Sequence, residues 1–285
     1  MLFSKAMVLF ERYQKNIERS SRTIDDYRLD LNLLNRYLQT KYNAPIYVED
    51  VTRDDVSEYL FYLKEERNYK PSSRKRMLAS YRTFFKYAYL NDWCESNVTE
   101  TLEPIKDRVK ERQFLSEAEV NVFINAIDHR LIQLVARMLY FTGMRISESL
   151  NLSDQDINMG SNLIHIRQGK GNKDRTIPMH PKLKEYLKDY IQNWKVHSDY
   201  FFATKKSGRL SKNRVATVFR ETSFELGLKP NVTAHVLRHS FASNLVKNDV
   251  HLVKISKLLG HNSLKTTSVY VHSNMDDLEE AINTL

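Results

Sequence analysis

A single cysteine, Cys94, stands among 285 residues. It excludes an intramolecular disulfide and makes a cysteine-rich zinc site impossible within one chain, so Cys94 is expected to pack as a small apolar residue. No uninterrupted apolar run approaches the roughly 20 residues that cross a bilayer. The apolar start, Met1 to Phe10, runs directly into Glu11 and Arg12 with no small-residue cleavage site, which reads as a first helix and not as a signal peptide. No membrane partner is implied, and a cytoplasmic location is expected. A phosphate-binding loop is lacking too: no earlier glycine precedes Gly169-Lys170-Gly171 at the required spacing, and Gly171 stands where such a loop needs Ser or Thr. The histidines do not make a metal site. His235 and His239 are spaced like ligands on a helix, with His261 and His272 downstream, but no carboxylate is grouped with them and Arg238 would repel a dication. A metal-dependent nuclease is therefore disfavoured, and neither metal nor cofactor is expected.

Positive charge is what the chain has in excess. Lys and Arg total 44 against 35 Asp and Glu, giving +9, and a cationic surface of this size attracts polyanions. Nucleic acid is the leading partner. The chain also carries 16 Tyr and 13 Phe, most of them at helical core spacing and so assigned to the core. With 41% hydrophobic residues it reads as globular, and its length allows two domains with separate cores.

In the N-terminal part, Tyr27, Leu31, Leu34 and Leu38 form the apolar stripe of a helix expected from Thr23 to Lys41. Ser20, Ser21 and Thr23 are candidate caps at its start. A second helix, from Thr52 or Asp54 to Arg67, is signalled by Val56, Tyr59, Leu60 and Leu63, and a third follows Pro71 with Met77, Leu78, Tyr81, Phe84, Phe85 and Ala88. With the Lys5–Glu18 segment these make four helices, enough for a small bundle. The third also carries Arg74, Lys75, Arg76, Arg82 and Lys86. That cationic side reads either as a solvated face or as a set of phosphate contacts, which Arg22 and its neighbours could extend.

Glu103 to Phe114 is charged and has no helical stripe, which makes it the domain boundary. Beyond it, Ser116 followed by Glu119 is a capping box, and Leu131 to Phe141 is a nearly all-apolar, buried helix that stops at Thr142-Gly143. Arg145, delivered by that glycine turn, sits close to the core, and Glu148 could pair with it and aim it. Leu163–Arg167 and Arg175–Met179 alternate around Gly169–Asp174 as a β-hairpin, leaving Lys170 a cation beside the turn. Pro181–Trp194 reads as a helix, Tyr200–Phe202 as a short apolar strand, and Ser211–Leu226 as a helix whose Lys212 and Arg214 add positive charge.

The stretch from Thr233 to Tyr270 concentrates basic, imidazole and phenolic side chains. His235 and Arg238 are three apart, so on a helix they share a face and can converge on one small anion. Gly260 suits a helix C′ position, with His261 emerging just beyond it. A planar cation, two imidazoles and a phenol are what phosphoryl transfer to a tyrosine needs.

The ordered boxes Thr142–Glu148, Gly169–Lys173, His235–His239 and Leu259-Gly260-His261 with Tyr270 nine positions on resemble those of the tyrosine recombinases, the phage-integrase family, in its simple Xer-type or transposon-resolvase form. The resemblance covers nearly the whole chain and shows no departure at the six catalytic positions. It implies a mainly α fold with a small β-sheet: a four-helix core-binding domain over residues 1–103, a linker over 104–113, and a mixed α/β catalytic domain over 114–285 ending in a tail helix. It implies a site-specific recombinase acting on double-stranded DNA at short inverted-repeat core sites, through a 3′-phosphotyrosyl intermediate and a Holliday junction. Tyr270 would be the nucleophile, Arg145 and Arg238 the clamp on the nonbridging oxygens, and Lys170 the acid for the leaving oxygen. His235 would assist proton removal from Tyr270, His261 would donate a hydrogen bond to the phosphate, and Glu148 would orient the cluster, with His239 structural. A homotetramer is implied, its tail from Met275 to Leu285 docking on a neighbour, and accessory DNA-binding proteins are admitted as partners. The chain begins almost at the core-binding domain, so no additional arm-site domain is expected. The competing readings are type IB topoisomerase-like relaxation and a noncatalytic DNA-binding relative.

Overall fold

A computed structural model describes residues 1–107, 114–167, 174–260 and Thr267. The chain divides into two compact units, Met1–Lys110 and Glu111–Leu285. Among the described residues, no helix is long and apolar enough to cross a membrane.

The first unit contains the four expected helices, α1 (Phe3–Asn16), α2 (Ser21–Tyr42), α3 (Arg53–Glu65) and α4 (Pro71–Leu90). The Ser20 side chain caps α2 by accepting from Thr23 N at 3.2 Å. α3 opens with a capping box, Thr52 Oγ1 accepting from Asp55 N while Asp55 Oδ2 accepts from Thr52 N. Each cap satisfies backbone donors that the first helical turn leaves without partners. The apolar stripes close on one core in which Phe3 and Phe84 have centroids 5.0 Å apart and Phe10 meets Phe84 edge-on at 5.4 Å.

An ion pair with a buried carboxylate lies within this bundle. Asp30 on α2 is fully buried and takes both terminal nitrogens of Arg76 on α4, at 2.6 and 2.7 Å, and the Ser80 hydroxyl at 2.6 Å. Burial pushes its carboxyl upward, and Ser80 and Arg76 oppose that push. A buried carboxylate with a bidentate arginine survives because its oxygens are satisfied, and removing either partner leaves an uncompensated polar group.

The second unit begins with α5 (Glu117–Asn125), opened by the expected Ser116–Glu119 capping box. Then come α6 (Arg130–Thr142), the short α7 (Ile146–Leu150), β1 (Ile157–Asn158), β2 (Leu163–Ile166) and β3 (Arg175–Pro178). The remaining helices are α8 (Pro181–Asp189), α9 (Lys212–Glu225), α10 (Ala234–Lys247) and α11 (Leu252–Leu259). The sheet is antiparallel in the order β1-β2-β3, with Ile164 opposite Ile177 and Ile166 opposite Arg175. Ile164, Ile166 and Ile177 face the core, as the period-two pattern requires. β1, a two-residue strand, lies outside the sequence reading because two residues carry no measurable alternation.

The expected fold class is what the structure has, mainly helical with a small sheet, and two local expectations are corrected. Tyr200–Phe202 is not a strand. Phe201 N donates to Leu152 O and Phe202 O accepts from Leu210 N, single bonds to separate segments and not a ladder. Phe201 and Phe202 pack instead around Tyr190 in the core, the first edge-on and the second stacked. The expected helix over 181–194 is α-helical only to Asp189 and continues as a π segment over Tyr190–Trp194.

Candidate active site

α6 brings the chain to the site. Nine of its side chains are buried, and it ends where Thr142 Oγ1 donates to Met138 O at 2.5 Å and Gly143 adopts φ 61°. The left-handed turn releases the chain from the helix directly above the core, so that Arg145, extended at the head of α7, lies half-buried there.

Glu148, three residues on, does what the spacing predicted. Its Oε2 accepts from Arg145 N at 2.7 Å and its Oε1 from Arg145 Nη1 at 2.7 Å. A second arginine completes the pairing: Arg175, at the start of β3, donates from Nη1 to Glu148 Oε1 at 3.1 Å and from Nη2 to Oε2 at 2.8 Å. Burial alone would raise the Glu148 carboxyl, but hydrogen bonds from Arg175 and from the Arg145 backbone and side chain, with the charge of Arg175, hold it down at about 2. It is ionised at neutral pH.

Arg238 enters from α10. The helix is capped by Thr233 Oγ1, which accepts from Val236 N, and is moored by Ser240 and Asn244, whose side chains donate or accept at the Leu115 backbone. Arg238 is only 4% exposed, and its guanidinium donates to Gly143 O at 2.5 Å and Leu259 O at 2.8 Å. The α6–α7 turn and the C-terminus of α11 are thereby fastened to one side chain. α11 ends at Gly260 in the left-handed region, the C′ role read from the sequence.

His235 is exposed, one turn before Arg238 on the same helix. His239 is buried, with Nδ1 3.4 Å from Ser243 Oγ and its ring edge-on to Phe114. Lys170, His261, Tyr270 and the tail from Met275 lie outside the described residues, as do positions 108–113 of the expected linker. The structure thus brings Arg145, Glu148 and Arg238 together and adds Arg175, which sequence reasoning counted only as a strand residue. Among the described residues, no three His, Cys, Asp or Glu side chains are grouped so as to hold a metal ion.

The cationic residues fall into two groups. Arg76 is held on Asp30, and Arg82 donates to Leu102 O. Arg74 is half-buried with no hydrogen-bond partner at Nε. Lys75 and Lys86 are exposed, and Arg22 is exposed beside Asp26. In the second unit Lys212 and Arg214 are exposed and, with Lys206 and Arg209, line an open groove of about 810 Å³.

The phage integrase family matches residues 113–277, and the N-terminal SAM-like domain of phage integrases matches residues 8–91. The chain belongs to the phage integrase family. Among its relatives, a tyrosine recombinase of Pseudothermotoga lettingae is 31% identical over 97% of this chain and 96% of its own length. The tyrosine recombinase XerA of Pyrococcus furiosus is 30% identical over 96% and 92%. Among solved structures, the Tn1549 transposon integrase in complex with a circular intermediate DNA superposes with a TM-score of 0.82 at 18% identity, covering all of both chains. A lambda integrase dimer bound to a COC′ core site superposes with a TM-score of 0.80 at 20% identity, covering 95% of each. These two likenesses are of fold. The family and the curated relatives make this integrase-family chain a tyrosine recombinase, an enzyme that cleaves and rejoins DNA.

The Glu148 geometry predicts an acid-sensitive stability term. A carboxyl whose folded pKa lies below its unfolded value stabilises the fold above the unfolded pKa, and that contribution is lost as pH falls through the folded one. With the folded value at about 2 and an ordinary glutamate near 4.3, the contribution at pH 7 is about 3 kcal/mol. The stability gap between wild type and Glu148→Gln should therefore narrow by more than half between pH 7 and pH 3. Urea unfolding followed at Trp194 in a Trp93→Phe background reports the second unit. A gap that stays constant over that range contradicts the assignment.

Proposed function

We propose that this recombinase exchanges strands of duplex DNA at short inverted-repeat core sites, with Tyr270 as nucleophile. The phenolic oxygen attacks a backbone phosphorus, the bond to the 5′-oxygen breaks, and a 3′-phosphotyrosyl link forms beside a free 5′-hydroxyl. Lys170 gives the departing oxygen its proton, His235 helps to take the proton from Tyr270, and His261 donates to the phosphate. A second 5′-hydroxyl reverses the step on the partner strand, so bond energy is conserved and no nucleotide cofactor is consumed.

The observation that carries this reading is the position of the two arginines. Arg145 and Arg238 come from segments 93 positions apart in the numbering, yet Arg238 is bonded to Gly143 O, two residues before Arg145. Two fixed guanidiniums match the nonbridging oxygens of one phosphate and neutralise charge that grows in the transition state. Glu148 orders Arg145 for that task, and the burial of Arg238 strengthens its pull on an anion.

The first unit grips the duplex through Lys75, Lys86, Arg22 and Arg74, and the second through Lys212 and Arg214. Arg76 and Arg82, each held by an internal partner, support the α4 surface more than they reach for phosphate. Four protomers assemble on two sites, each docking its tail on a neighbour, and accessory DNA-binding proteins bias the choice of sites.

The test is covalent capture in a chelator, on nicked duplexes carrying a core site selected from a randomised inverted-repeat library. A chelator-resistant protein–DNA adduct and, on paired sites, exchanged flanks are expected. Adducts with relaxed but unexchanged plasmids would assign a topoisomerase, and site binding without an adduct would assign a noncatalytic relative.

A further inference from the structure

We propose that Arg175 is a positioning residue for strand cleavage, acting through Glu148 on Arg145; the proposal rests on the catalytic role given to Arg145 above. Arg175 is nearly buried and its guanidinium is used on two sides. Nη1 and Nη2 straddle Glu148, one on each oxygen, and Nε donates to Leu258 O at 3.0 Å. Each Glu148 oxygen therefore carries one donor from Arg145 and one from Arg175. A carboxylate has about four lone-pair sites, and here four donors from the two arginines occupy them, which restrains rotation of the carboxylate.

The contacts extend into a closed ring. Arg175 takes Leu258 O and Arg238 takes the next carbonyl, Leu259 O. Arg238 also takes Gly143 O, and Met144 joins Gly143 to Arg145, which returns to Glu148. Both arginines assigned to the phosphate belong to this ring, and Arg175 is the member that joins the Glu148 side to the α11 end. Without it, Glu148 keeps its i,i+3 partner but loses the opposing fork that fixes its plane, and Arg145 can swing with it.

Lysine cannot substitute. It offers three donors from one nitrogen and cannot straddle a carboxylate while also reaching the Leu258 carbonyl. Arg175→Lys keeps the charge and removes the geometry, which separates positioning from electrostatics.

The experiment measures single-turnover adduct formation and DNA affinity for wild type, Arg175→Lys, Glu148→Gln and the double variant. A misplacement on the scale of 1 Å costs about 100-fold in rate, so Arg175→Lys is expected to cleave about 100-fold more slowly with its Kd for DNA within about threefold. If Arg175 works through Glu148, the double variant is no slower than Glu148→Gln alone, because two substitutions on one route are not additive. Cleavage by Arg175→Lys within about threefold of wild type, or fully additive losses, overturns the proposal. Arg175→Gln is the second variant, and unfolding of both would assign a scaffolding role and overturn it equally. Failure of wild type to form any adduct condemns the catalytic reading itself, a result distinct from either.

Discussion

Tyr270→Phe should abolish covalent capture of DNA while leaving site affinity within about twofold of wild type. The substitution removes one oxygen and keeps the ring, so packing changes little, and affinity for a duplex comes chiefly from phosphate contacts made by other side chains. The rate should fall by at least about 10⁴-fold, the order seen when a covalent nucleophile is deleted from an otherwise intact site. A residual adduct would mean that one of the other 15 tyrosines attacks. The structure narrows that set. Tyr59, Tyr81, Tyr140 and Tyr190 are buried and burial pushes each phenol upward. Tyr190 donates its hydroxyl to Phe201 O, and Tyr140 accepts from Asn244. None of these four can present an oxygen to a phosphate, so a persistent adduct in Tyr270→Phe would refute the assignment and be mapped by peptide sequencing among the exposed tyrosines.

What could be read from the sequence was what neighbouring residues decide among themselves. The Ser116–Glu119 box, the stop at Gly143 and the Arg145–Glu148 pair each lie within four residues, and spacing alone reports them. The α10 spacing also held, with His235 and Arg238 one turn apart. The rest depends on segments that only folding brings together. Arg175 reaches Glu148 across 27 positions and Leu258 across 83, and Arg76 reaches Asp30 across 46. At such separations a basic residue in a basic chain carries no mark of its partner. Arg76 and Arg82 accordingly read like Lys75 and Lys86, although the bundle holds the first two internally. The misread strand at Tyr200–Phe202 has the same origin, since three apolar residues fit a strand or a buried bend equally well.

The order of the site before DNA arrives comes from the close packing around Gly143, and this gives the second large effect. A Cβ at Gly143 would lie 2.6 Å from Phe241 Cε1 and 2.9 Å from Leu259 Cδ2, with the ring Cδ1 closer still. Those are side-chain atoms of α10 and α11, the helices that carry Arg238 and the Leu259 carbonyl it binds, so relieving the overlap repacks this side of the site. The backbone adds to the strain, since φ is 61°. A left-handed non-glycine costs about 1–2 kcal/mol and overpacking a filled core costs about 1–3 kcal/mol, so Gly143→Ala should destabilise the second unit by about 4 kcal/mol. That is a large share of the 5–15 kcal/mol typical of a whole domain. Gly227→Ala separates the two contributions: its φ is 65° but nothing lies within 4 Å of the added carbon, so only the backbone part, about 1–2 kcal/mol, should appear. Urea unfolding read at Trp194 in the Trp93→Phe background compares them directly. Equal losses in the two variants would show that backbone conformation alone limits position 143, and that the helices bearing Arg238 tolerate displacement. A loss at Gly143 several times larger, accompanied by slower cleavage in the protein that remains folded, would show that the packing which stabilises this unit is also what holds the two arginines on one phosphate.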